Sequence, residues 1–483
     1  MLAASVRLRQ GVNVPLGPVA ATAAVTGAVG LAVPMAGQPS LVVLALLGVV
    51  AVILVTWRLE LGLWGFVLAT ALNRYNFDVA GWQMKIEHIV LLLVLVAWGL
   101  RCLSGRERLE RWPLVALLGA FLGLNLAASA LHSQDLYKSV RILTRMGLAV
   151  AAYVVIVNHV RDRARLWQLV TVSLAVAAGA AAYGIAAMAA WHMSGTNLGL
   201  QYSTISGVWS PYGTMWESNI FGAYTMAAAI TSLVLLLSSQ RVINRWFLSA
   251  VFAVTAVAML LSLTRGAWLG FGVGGLFILL FLGKLRLSNL LVLIVGSALV
   301  LVVLSYLNPG GVFDDVWQRL GTLYTPSEDI NVISRRTNSE LALQEWGESR
   351  WLGWGTDGFH INHPEILSGL PSPQLNALYD TGLVGVALFV VLLLAFLGRS
   401  VAAVIAAGEQ PERALLLALL CSFLGLLVAF QSTDAFWLGF TWIHLALLMG
   451  AVSVVESKDG WRAQLQQLRA SIPRAARVER RAP

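Results

Sequence analysis

His360 and His363, in the stretch GFHINHPE, are the side chains best placed by type to move a proton near neutral pH. A neutral imidazole beside a hydroxyl is the usual general base. Asp357, Glu365 and Asp380 would serve instead if desolvation raised their proton affinity. A loop pair of histidines is as often surface decoration, and two His with Glu365 at irregular spacing make a poor zinc pattern, so no metal and no cofactor are expected.

Cations form the second group. Lys138, Arg141 and Arg145 in LYKSVRILTRMG are spaced i, i+3, i+7, so one helix face presents all three. Charges at membrane depth are costly unless paired; snorkelling to the interface accounts for Lys138 better than for Arg145, the deepest. Arg265, in LSLTRGAWLGFG, occupies a tight turn between apolar segments, where a guanidinium can grip phosphate oxygens in a planar bidentate contact. In WESNIFGAY, Ser218 or Asn219 reads as a helix N-cap that directs free N–H groups outward. Capping alone also explains Ser218 and Asn219; Asn219, Glu217, Trp354 and Asp357 are expected to line a site.

The elements that must hold these groups are membrane helices. The chain of 483 residues is 58% hydrophobic and only 12% charged, with mean hydropathy +0.76; soluble domains carry about 25% charged residues. The apolar runs lack the alternation of lipid-facing strands. We therefore expect an all-α polytopic protein with about 12 to 14 transmembrane helices. Fourteen segments are placed near 16–35, 41–55, 61–72, 89–103, 113–130, 140–158, 169–190, 219–237, 247–263, 267–282, 290–306, 383–397, 414–430 and 435–455. The basic then apolar start reads as a retained first anchor. The two cysteines, Cys102 and Cys421, both in spans, offer no disulfide framework.

The net charge of +9 and pI near 9.9 do not indicate nucleic acid, because the basic residues alternate between loops. All but ten of the 33 Lys and Arg fall on one side, which the positive-inside rule makes cytoplasmic, with both termini. The ten exceptions are Arg74, Lys85, Lys138, Arg141, Arg145, Arg265, Arg319, Arg335, Arg336 and Arg350. They sit where basic residues are normally depleted, so something negative is expected there. The long loops lie on the same side, above all 308–382, which contains the helix-like stretches VFDDVWQRLGTL and RRTNSELALQEWGE, the second starting at Asn338 to Glu340. This divides the chain into a bundle of eleven spans (1–306), an extracytoplasmic lobe (307–382), three further spans (383–455) and a basic cytoplasmic tail (456–483) suited to anionic lipid headgroups.

Four pieces in order, WESNIFGAY, LTRGAWLG, RTNSELALQEW with RWLGWGTDGF, and LNALYDTGLVG, resemble the O-antigen ligase and O-antigen polymerase superfamily over roughly Glu217 to Gly385. One departure matters: the family's His-Asn pair, about eleven residues before the first Gly of GLVG, is replaced by Pro371 and Ser372. The resemblance implies a C-type glycosyltransferase-like fold in a bacterial inner membrane. It implies inverting, metal-independent transfer of a glycan from an undecaprenyl-pyrophosphate-linked donor to a hydroxyl of a saccharide, lipid A core or protein acceptor, as in lipopolysaccharide biosynthesis. Arg145, Arg141, Arg265 and Arg336 would then hold the donor pyrophosphate, with Arg265 also catalytic beside His363 or His360. The alternative class is a transporter or flippase for a lipid-linked oligosaccharide; such proteins tend to show paired halves and midplane charges, and no internal two-fold repeat is visible here.

Overall fold

The computed structural model describes residues 5–7, 13–15, 50–51, 53–79, 82–203, 208–238, 242–282, 314, 316–317, 321, 330–366, 368–408 and 411–457. The structure is mostly helical, 76%, and among the described residues eight helices are long and apolar enough to cross a membrane. These are α2 (Ile86–Leu103), α3 (Val115–His132), α4 (Leu136–His159), α5 (Arg163–Ser194), α6 (Ser218–Leu237), α11 (Pro373–Ala406), α12 (Pro411–Ala429) and α13 (Gly439–Ser457). Shorter apolar helices are α1 (Leu59–Ala71), α7 (Arg245–Leu261) and α8 (Arg265–Leu282). Two polar helices, α9 (Ile330–Trp346) and α10 (Gly358–Asn362), precede α11. The eleven apolar helices correspond to eleven of the fourteen expected segments; the first and eleventh segments, most of the second and the basic tail fall outside the described residues.

The helical architecture agrees with the all-α expectation, and the described residues add three short antiparallel hairpins: β1 (Ser5–Arg7) with β2 (Asn13–Pro15), β3 (Asn76–Val79) with β4 (Trp82–Lys85), and β5 (Leu200–Ser203) with β6 (Val208–Pro211). Each joins strands of three or four residues, too short for periodicity to announce. Two further boundaries differ. Asn338 does not start a helix: it lies inside α9, and its Nδ2 donates to the Ser368 carbonyl at 2.7 Å. α11 begins ten residues before the expected Leu383, because Ser372 caps it by accepting from the Leu375 N–H at 3.3 Å and Pro373 opens it. Gly382 (φ 64°) then breaks α11 between a polar first part and an apolar second part.

Burial separates the helices that line the interior from those that face outward. On α2, Ile89, Leu92 and Val96 are exposed while Leu91, Val94 and Ala97 are buried, a greasy outward stripe that suits lipid and not water. α6, α12 and α13 are enclosed on most sides. α8 and α12 pass so closely that a Cβ on Gly270 would lie 2.5 Å from the Gly425 carbonyl oxygen, so small residues set the contact. Interior hydroxyls such as Thr225, Ser400 and Ser422 donate to carbonyls four residues back, which satisfies these donors within their own helices.

One end of the bundle is knotted by charge. Buried Glu107 lies 3.4 Å from His159, 3.6 Å from Arg101, 3.7 Å from Arg161 and 3.8 Å from Arg165. Burial pushes its carboxyl up, but the His159 hydrogen bond and the charges of His159, Arg101 and Arg165 outweigh that and hold it below the usual range. The candidate site lies at the other end.

Candidate active site

A cavity of about 740 Å³ opens where the opposite ends of the helices meet the polar lobe. Phe121 and Asn125 of α3, Ile142 and Met146 of α4, the β5–β6 hairpin, the segment Trp216 to Asn219, the α7–α8 turn, Arg335 of α9, the α10 region, the start of α11 and the α12–α13 link all contribute to its wall. The chain is therefore gathered from more than 300 residues of sequence to one place, as ligand sites between helices usually are.

His360 lines this cavity, and Asp357 holds it: Nδ1 of His360 is 2.9 Å from Asp357 Oδ1. An ionised carboxylate only accepts, so Nδ1 carries the proton and Nε2 the lone pair. Asp357 is itself fixed on every side. Its backbone N–H and that of Gly358 donate to the Asp380 carboxylate at 3.1 and 3.0 Å, and Lys138 Nζ lies 3.9 Å from Oδ2 while donating to the His360 carbonyl at 3.2 Å. The preceding Thr356 is buried and tied to α3 and α4: its N–H donates to Ser129 Oγ at 2.9 Å, its hydroxyl to Asn125 Oδ1 at 3.1 Å, and its carbonyl accepts from Ser139 Oγ at 2.7 Å. Of the three described non-glycine residues with left-handed backbones, two line the cavity, Leu263 (φ 55°) and Asp357 (φ 60°). Such strain persists only where the surroundings enforce it, and it clusters at functional sites.

Two carboxyls in the cavity wall outside the spans are shifted upward. Asp434 is reached by solvent from the cavity but otherwise ringed by protein, and burial raises its carboxyl to about 6. The Phe436 backbone N–H, the electrostatic influence of nearby His360 and the Asn376 hydrogen bond oppose the rise, and Asp357 adds to it. Asn376 Nδ2 donates to Asp434 Oδ2 at 2.8 Å. Burial also raises Glu217, against a 2.5 Å hydrogen bond from Asn219 and the charge of Arg335.

The expected site residues divide. Glu217, Asn219, Asp357 and His360 line the cavity. Glu217, not Ser218 or Asn219, is the N-cap of α6, and its side chain makes no capping hydrogen bond. His363 is not among the lining residues: its Nε2 sits 2.8 and 2.9 Å from the two oxygens of Glu345, which also accepts from Tyr379, and its ring packs on Phe359. That network staples α9 to α10 and α11 and leaves His363 outside the cavity wall. Trp354 is likewise structural, donating from Nε1 to the Glu345 carbonyl at 3.2 Å and packing on the small core of Ala342, Phe359, Leu370 and Tyr379. Arg336 is exposed and pairs with Glu340 at 2.7 Å, whereas its neighbour Arg335 faces the cavity. Arg141 and Arg145 each precede a cavity residue of α4, Ile142 and Met146, so they stand about 100° around the helix from the wall. Arg145 feels Arg141, Asp357 and Glu87. Arg265 starts α8 directly after the cavity-lining Ser262 and Leu263.

Sequence reasoning missed Asp434, Asn376 and the cavity role of Arg335 and Trp216. An acid in the short polar link QSTDAFW, between two apolar segments of a chain so poor in charge, was the one signal for Asp434. Among the described residues, no group of His, Cys, Asp and Glu is arranged to hold a metal ion. No protein-family model and no curated protein sequence matches the chain.

Proposed function

We propose that the protein transfers a glycan from a polyprenyl-pyrophosphate-linked donor to a hydroxyl, as an O-antigen ligase- or polymerase-like enzyme, in the cavity at the outward end of its membrane bundle. The observation that carries this reading is His360, oriented by Asp357 with Nε2 left as the basic atom, in the same cavity as Arg335. The positive-inside bias of the basic residues supports reading the Glu107 end as cytoplasmic and the cavity end as extracytoplasmic.

In the proposed step the acceptor hydroxyl, losing its proton to His360 Nε2, forms a bond to the anomeric carbon. The bond from that carbon to the pyrophosphate oxygen breaks, its electron pair leaves with the pyrophosphate, and the configuration inverts. Arg335 in the wall, with Arg145 and Arg265 flanking it, answers the charge on the leaving group. Arg336 and His363 have no part in it. A transporter would need none of this acid–base geometry.

The test is turnover by the full chain in nanodiscs supplied with labelled undecaprenyl-pyrophosphate-linked glycan and a saccharide acceptor. Glycoside formation with release of undecaprenyl pyrophosphate is expected. Donor moved across the bilayer without a new glycosidic bond, or turnover unaffected by His360→Ala, overturns the proposal.

A further inference from the structure

The cavity is not uniform in charge. Arg335 reaches it from α9, opposed by Glu217, whereas the corner built by the α10 region, the start of α11 and the α12–α13 link presents Asp357, Asp380 and Asp434 around His360. Asp380 is committed to two backbone N–H groups and Asp357 to His360 and Lys138. Among the described residues Asp434 accepts from the Asn376 side chain and the Phe436 backbone N–H, and it stays open to the cavity with acceptor capacity to spare. Ring surface is exposed in the same cavity at Trp216 (62%) and Tyr202 (46%). A pyranose has an apolar C–H face and an edge of hydroxyls. Aromatic faces suit the first, and an amide–carboxylate pair suits the second.

We propose that the Asp434–Asn376 corner is a saccharide subsite for a pyranose without anionic substituents, one that rejects a uronic acid. The proposal deepens the transfer reading and rests on it. One sugar hydroxyl donates to Asp434 and its neighbour to Asn376 Oδ1, because the two Nδ2 hydrogens of Asn376 already serve Asp434 and the Ser372 carbonyl. A sugar carboxylate at the same place meets Asp434 with Asp357 behind it, and like charge juxtaposed in a partly desolvated pocket is strongly disfavoured. Anion binding belongs to the Arg335 side, where the donor pyrophosphate lies, so the two ends of the cavity sort neutral sugar from phosphate.

The test compares binding of a neutral N-acetylglucosamine oligomer with an oligogalacturonate of equal length to the full chain in nanodiscs, read by saturation-transfer NMR at about pH 7.5 and about pH 5. The neutral oligomer is expected to bind at least about tenfold more tightly at the higher pH. Asp434→Asn is expected to narrow that ratio, and Trp216→Ala to weaken both ligands together. Lowering the pH protonates Asp434 before the uronate, so the ratio falls there too; His360, Asp357, Asp380, Glu217, Arg335 and Lys138 share that environment and are held constant by the Asp434→Asn comparison. Equal binding of the two oligomers, no binding of either, or a ratio unmoved by Asp434→Asn overturns the subsite. Selective binding without any glycosyl transfer defeats the transfer reading and leaves the subsite; efficient transfer to a uronate acceptor does the reverse.

Discussion

Asp357 Oδ1, at the N-cap of α10, stands 2.9 Å from Nδ1 of His360 three residues later, while the Asp357 backbone is bound to Asp380 on α11. The histidine is thus oriented by a residue whose own position is set from a second helix. Under the proposed function, His360→Ala should lower transfer about 10²-fold or more. Asp357→Asn should also lower it, because the amide can donate to Nδ1 and stabilise the wrong tautomer. Single-turnover rates with lipid-linked donor measure both, and unaltered folding is checked by thermal melting.

His363 should behave differently. His363→Ala removes the contact that bridges α9 and α10 through Glu345, at about 1–3 kcal/mol of stability. The transfer rate of the protein that remains folded should stay within a fewfold of the parent. A melting curve beside a rate measurement separates this from the His360 effect.

The adjacent arginines offer a sharper contrast. Arg335→Ala should cost about 10²-fold in turnover, as removal of one preorganised charge partner commonly does. Arg336→Ala, which removes only an exposed pair with Glu340, should leave turnover and stability nearly unchanged. Equal effects at the two positions would reverse the assignment.

Asp434 supplies a pH dependence. Unfolded aspartate titrates at about 3.9, and in the folded chain Asp434 is raised to about 6. The folded state therefore binds this proton more tightly, so ionisation works against folding. The penalty is complete above about 6 and fades as the pH falls towards the unfolded value. Asp434→Asn should raise Tm at alkaline pH and give a diminishing gain as the medium is acidified through that window.

At the charged end, Glu107→Ala leaves His159, Arg101, Arg161 and Arg165 crowded without their shared anion. A loss of about 3–5 kcal/mol is expected. Denaturant unfolding in detergent reads it directly.

The apolar helices were legible because long unbroken hydrocarbon runs leave few alternatives. The start of α11 was not: SPQLNALYDT is polar enough to read as loop, although Ser372 followed by Pro373 is a helix-opening pair. Asn338 misled in the opposite direction, since an Asn prefers caps, yet here a carbonyl at Ser368 occupies its amide in mid-helix. The site was legible as a region and not as a set of side chains. Arg335 and Arg336, or His360 and His363, differ by a rotation about their helices, and only the packing of α9 and α10 against α11 decides which member turns inward. Asp434 carries no motif at all, because its neighbours Asn376 and His360 are brought to it by tertiary structure.

The cavity wall runs in sequence from Phe121 to Trp437. A growing polypeptide therefore holds no finished pocket until the link after α12 has been synthesised and α13 has taken its place beside α4. Premature termination anywhere before that point leaves the wall of the chamber unfinished.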